Sequence, residues 1–166
     1  MGTVEIGGLE IPAAGPVFLT ALAIHVLAGL ACVASGALAA LSRKRHGWHP
    51  RAGTVYVLGI AVVFASAAVM AIVRWPHDVH LLAIATVALV TALAGRALRR
   101  RGRLAWHGSL MAGSYVALLT GFYVDNGARP PVWDALPPIA YWLLPAAIGF
   151  PLTWWALARH HLLRRR

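Results

Sequence analysis

Five apolar runs, Val17 to Leu41, Ala52 to Val73, Val79 to Leu98, Leu104 to Val124 and Ile139 to Ala158, alternate along the chain with short polar gaps. Each supplies the roughly 20 residues that a helix rising 1.5 Å per residue needs to cross about 30 Å of hydrocarbon. Open sheet edges would leave backbone groups unpaired in lipid, so the pattern predicts an all-α polytopic membrane protein. Short gaps make consecutive helices antiparallel neighbours in a bundle. The fifth run carries Pro145, Gly149 and Pro151 and no interior histidine; it is expected to form a kinked accessory helix on a four-helix core. Residues 1–16 are then an extracytoplasmic segment, 17–158 a single membrane domain and 159–166 a basic cytoplasmic tail.

Charge sets the orientation. The acidic residues (Glu5, Glu10, Asp78, Asp125, Asp134) precede the first run or fall in the second and fourth gaps, whereas every Lys and Arg except Arg74 and Arg129 falls elsewhere. Cationic loops stay in the cytoplasm, which predicts five crossings, N-out and C-in, in a bacterial cytoplasmic membrane. Trp48, Trp75, Trp106 and Trp133 lie in or beside the loops, at headgroup level. With 60% hydrophobic and 12% charged residues, the chain cannot cover a water-facing surface with charge. Its net charge of +10 lies beside apolar runs, so anionic headgroups, and not nucleic acid, are the expected partner. A single cysteine, Cys32, excludes an internal disulfide and a Cys-based metal site. The N-terminal residues lack the basic start of a signal peptide, so the first helix is expected to be retained.

Candidate chemistry rests with the histidines. His160 and His161 lie in the basic tail and His46 in a cationic loop, where solvated cations are at home. His25 and His80 lie roughly 24 and 27 Å from the inner ends of the first and third helices, a shared level in the outer leaflet. His49 and His107 lie near the inner surface; measured from Ala52 and Leu104 their levels differ by about 9 Å, unless the second helix starts near His49. An imidazole in an apolar helix needs a partner. His25 has either a backbone carbonyl, Ser or Thr on a neighbouring helix, or a ligand to hold. Histidines on facing helices can bind haem iron axially inside a bundle. In that arrangement one or two haem b groups are held by His25 with His80 and by His49 with His107. Gly29 and Gly108 give clearance, and Arg43, Arg51 and Arg103 pair with propionates. His25, Gly29, Cys32 and Gly36 share one helix face, which suits close packing, a homodimer, or a flat cofactor.

This layout resembles the di-haem transmembrane b-type cytochromes reduced by ascorbate, over the first four helices and in histidine placement only. Two stretches carry a second resemblance. His49-Pro50-Arg51-Ala52-Gly53-Thr54-Val55-Tyr56 is similar to a His-Arg-x-x-Gly-x-x-Tyr helix start, with Pro50 and Arg51 altering the local order. Trp106-His107-Gly108 is followed by Ser114-Tyr115 and by Phe122-Tyr123-Val124-Asp125-Asn126-Gly127. Together with His25-x-x-x-Gly29 they resemble a bacterial family of small polytopic membrane proteins catalogued as domain of unknown function 2306. That resemblance implies membership and no particular activity.

Two further readings stay open beside haem-based electron transfer to a redox partner or quinone. Asp125-Asn126-Gly127 reads as a helix stop and a turn favouring positive φ. Alternatively Asp125 joins His77, Asp78 and His80 in an outward polar cluster for zinc or another divalent metal, as in a metal-dependent membrane hydrolase loosely similar to the ceramidase type. The third reading is an accessory or transport subunit with histidines as proton-linked switches. No internal repeat is evident, which argues against a complete inverted-repeat transporter. Whether the chain is an enzyme is left open.

Overall fold

The computed structural model describes residues 3–6, 9–12, 15–42, 47–127 and 136–159. A two-stranded antiparallel ribbon, β1 (Thr3–Ile6) and β2 (Leu9–Pro12), precedes five helices: α1 (Gly15–Leu41), α2 (Trp48–Val73), α3 (Val79–Arg100), α4 (Leu104–Asn126) and α5 (Pro138–Arg159). The ribbon, paired Thr3 with Pro12 through Ile6 with Leu9, is the one departure from an all-helical chain among the described residues. α1, α2, α3 and α5 are each long and apolar enough to cross a membrane. α4 is as long, at 23 residues, but less apolar.

Local chemistry explains the element ends. α2 starts at Trp48, four residues before the expected Ala52, because Pro50 is tolerated in a first turn where its missing N–H has no partner to lose. α3 stops in a Schellman motif: Gly102 at φ +73° donates its N–H to Arg99 O, and Arg103 donates to Leu98 O. Hydroxyls within the helices return to carbonyls one turn back, as Ser66 does to Val62 O, Thr86 to Leu82 O and Thr120 to Val116 O. Such bonds satisfy polar groups without a partner helix. α5 continues through Pro145 and Pro151.

α1 packs along α2 and α3 along α4 as the closest pairs, α2 lies on α3, α5 lies on α4, and α1 meets α4 only briefly. Between them a core of Cys32, Tyr56, Val57, Ile60, Val63, Ala88 and Ala92 is buried, with Met111, Tyr115 and Leu118 against it. Glycine permits the close approaches. A methyl group on Gly59 would lie 2.5 Å from Cys32 Sγ, and one on Gly36 would lie 2.6 Å from the Tyr115 ring. Outward faces are apolar and open: Leu27, Leu30, Leu58, Ile72 and Trp154 are all exposed. A water-soluble monomer does not tolerate such continuous apolar area, so the surface is that of a membrane-embedded, multi-pass protein.

Candidate functional site

His25 projects from α1 onto α2, where its Nδ1 lies 3.2 Å from Val63 O and 3.0 Å from Ser66 Oγ. Ser66 Oγ lies 2.8 Å from Val62 O and 3.0 Å from Val63 O, so its hydroxyl can donate within its own helix while its oxygen accepts from His25. A carbonyl oxygen cannot donate; Nδ1 therefore carries the ring proton and the lone pair is on Nε2.

The two inner histidines repeat the arrangement. His49 Nδ1 lies 2.8 Å from Ala39 O, and His107 Nδ1 lies 2.9 Å from Gly95 O. Each thus ties the first turn of one helix to a carbonyl near the end of the helix before it, and each is again the Nδ1–H tautomer. With α2 starting at Trp48, His49 is its second residue and His107 the fourth residue of α4. Their levels along the helices differ by about 3 Å rather than 9 Å.

The outer residues have separate commitments. His80 is exposed on α3 and its ring stands 6.2 Å from that of Trp142 on α5, so the contacts of His25 and His80 lie on different neighbours. Asp78 pairs with Arg74 at 3.2 Å, and the Arg74 guanidinium lies over the Phe18 ring, tying the α2–α3 turn to α1. His77 is exposed, and Asp125 accepts from Asn126 Nδ2 at 3.3 Å. Among the described residues no three His, Cys, Asp or Glu gather as a metal centre requires. The two glycines differ: nothing lies within 4 Å of a methyl placed on Gly29, whereas one on Gly108 would meet Leu157 at 3.1 Å. The space beside Gly108 is therefore filled by α5. Gly127 has φ −56°, so it is not the positive-φ turn residue expected; its missing side chain admits the Tyr141 ring. Arg51 and Arg103 are exposed beside His49 and near His107 in sequence. Arg43, His46, Trp133, Asp134, His160 and His161 lie outside the described residues.

Mid-bundle polar contacts escaped the sequence reading. Tyr56 Oη and Ser114 Oγ are 2.8 Å apart, Ser114 donates to Ala88 O at 2.7 Å, and Tyr115 Oη reaches Val33 O at 3.1 Å. Tyr56 and Ser114 stood in the quoted motifs, but motif membership gives no cross-helix partner. Fold and site together define a polytopic helix bundle in which three histidines, His25, His49 and His107, are anchored through Nδ1. No family model matches the chain, and no match was found among curated proteins or solved structures.

Proposed function

We propose that the chain is a b-type cytochrome-like electron carrier of a bacterial cytoplasmic membrane, crossing the bilayer five times with its N-terminus outside and its C-terminus inside. The observation that carries this reading is the Nδ1-to-carbonyl hydrogen bond at His25, His49 and His107. Metal-binding histidines ordinarily make this outer bond, which fixes the tautomer and ring orientation with Nε2 as the ligand atom. His49 with His107 then serve at the inner surface, and His25 with His80 at the outer one. The open space beside Gly29 supports a flat group near His25, and Arg51 and Arg103 supply cations for propionates at the inner end.

Bound haem b supplies reversible one-electron chemistry. The protein's own part is to present Nε2, hold the rings of His25, His49 and His107 by their carbonyl bonds and keep water away with apolar spans. α4 crosses as the fifth span in this reading: it has the length of its neighbours and packs between α3 and α5, while the polar groups that lower its hydropathy bond inward, as Ser114 does. Membership of the family catalogued as domain of unknown function 2306 is proposed on the motifs quoted above. A quinone or a second redox protein is the proposed exchange partner. The test is titration of the detergent-purified protein with ferric haem. Saturable binding with a shifted Soret band is expected, and His25→Ala should lower the haem-to-protein ratio while helicity by circular dichroism is retained. Unsaturable, unshifted absorbance would contradict the proposal.

A further inference from the structure

The two closest helix pairs share one internal register. In the first, Cys32 Sγ approaches Tyr56 O and His49 bonds Ala39 O; in the second, Ser114 bonds Ala88 O and His107 bonds Gly95 O. Adding 56 to an α1 number and 58 to an α2 number maps one set on the other: 32 to 88, 39 to 95, 49 to 107 and 56 to 114. Trp48 falls on Trp106 by the same sum. α1–α2 and α3–α4 are therefore two versions of one hairpin. In this register His25 corresponds to Leu81, one residue past His80, about 100° around the helix.

The second hairpin is covered by α5, with Leu157 against Gly108, Gly149 against Val116 and Tyr141 against Gly127. Subtracting 58 places the equivalent seat at Pro50, Leu58 and Val69 of α2. There the structure has an open groove of about 510 Å³ whose lining includes Ala21 of α1 and Leu58, Ala61, Ala65, Ser66 and Val69 of α2. Among the described residues no helix fills it.

We propose that this groove seats a transmembrane helix of a second copy of the chain, the two copies meeting α2 to α2 about a two-fold axis along the membrane normal. By internal symmetry the groove matches a helix seat in the other hairpin, where α5 runs antiparallel to α4; the copy's α2 would lie in the matching seat parallel to α2. α5 is committed to α4, so the covering helix comes from another molecule. Ser66 Oγ is engaged with His25 and its own helix, which leaves an apolar lining asking for an apolar occupant. A second copy presents the same groove at the same depth, a two-fold contact closes on itself, and Ala61 and Ala65 let the backbones approach.

Single-cysteine probes in native membranes test this. Cys32, the natural thiol, is fully buried, so background cross-linking should be absent. Under mild oxidation Ala61→Cys and Ala65→Cys should give a disulfide-linked dimer of the chain, and Val90→Cys, on the exposed face of α3, should not. In mild detergent the wild-type protein should have twice the protomer mass by light scattering, and Ala65→Trp should shift it to the protomer mass. Adducts with a different protein, cross-linking at Val90 but not at positions 61 and 65, or a monomeric wild type with no adduct would each overturn the proposal. If Ala65→Trp loses helicity, the cysteine probes still decide.

Discussion

A half-buried imidazole, a hydroxyl against a carbonyl and a missing side chain do most of the positioning at the residue scale. Tyr56→Phe removes the bond to Ser114 and leaves Ser114 its carbonyl partner, Ala88 O. Hydrogen bonds between membrane helices average about 0.6 kcal/mol, and a loss of that order is expected in reversible unfolding from mixed micelles. The glycines give a sharper contrast. Gly36→Leu must displace both Tyr115 and Tyr56 and should cost about 1–3 kcal/mol by overpacking, whereas Gly29→Leu meets open space and should leave the unfolding midpoint unchanged while weakening haem binding. That His25 needs a partner was legible from its apolar setting. Which partner was not, because Val63 and Ser66 stand 38 and 41 residues away and nothing local selects them.

Element ends were less legible than the elements. Hydropathy reads His49-Pro50-Arg51 as loop, yet α2 starts at Trp48, and only that start brings His49 and His107 to similar levels. The polarity of α4 has a reason invisible along the chain: Ser114 faces the core and His107 ties back to Gly95. Turn chemistry at the α3–α4 connection predicts a measurable effect. Gly102→Ala forces an ordinary side chain into φ +73° and should destabilise the hairpin by about 1–2 kcal/mol, read as a lower midpoint in the same unfolding assay. Two Trp-His pairs were the sequence trace of the repeated hairpin. With matching helix residues as unlike as Cys32 and Ala88, the repeat emerges only from the hydrogen-bond register.

Over the whole molecule, apolar helices facing outward and small residues facing one another make a membrane bundle, and its anchored imidazoles carry the proposed chemistry. Alternation of charge along the chain made the membrane class readable, because lipid constrains composition over entire spans. Site assembly depends on a few side-chain directions that composition does not encode, as His80 beside Trp142 illustrates. The most direct measurement is a dithionite-reduced minus air-oxidised visible difference spectrum of protein purified from haem-supplied cells. A sharpened α band with a red-shifted Soret maximum is predicted. A colourless preparation with a flat difference spectrum would contradict the account.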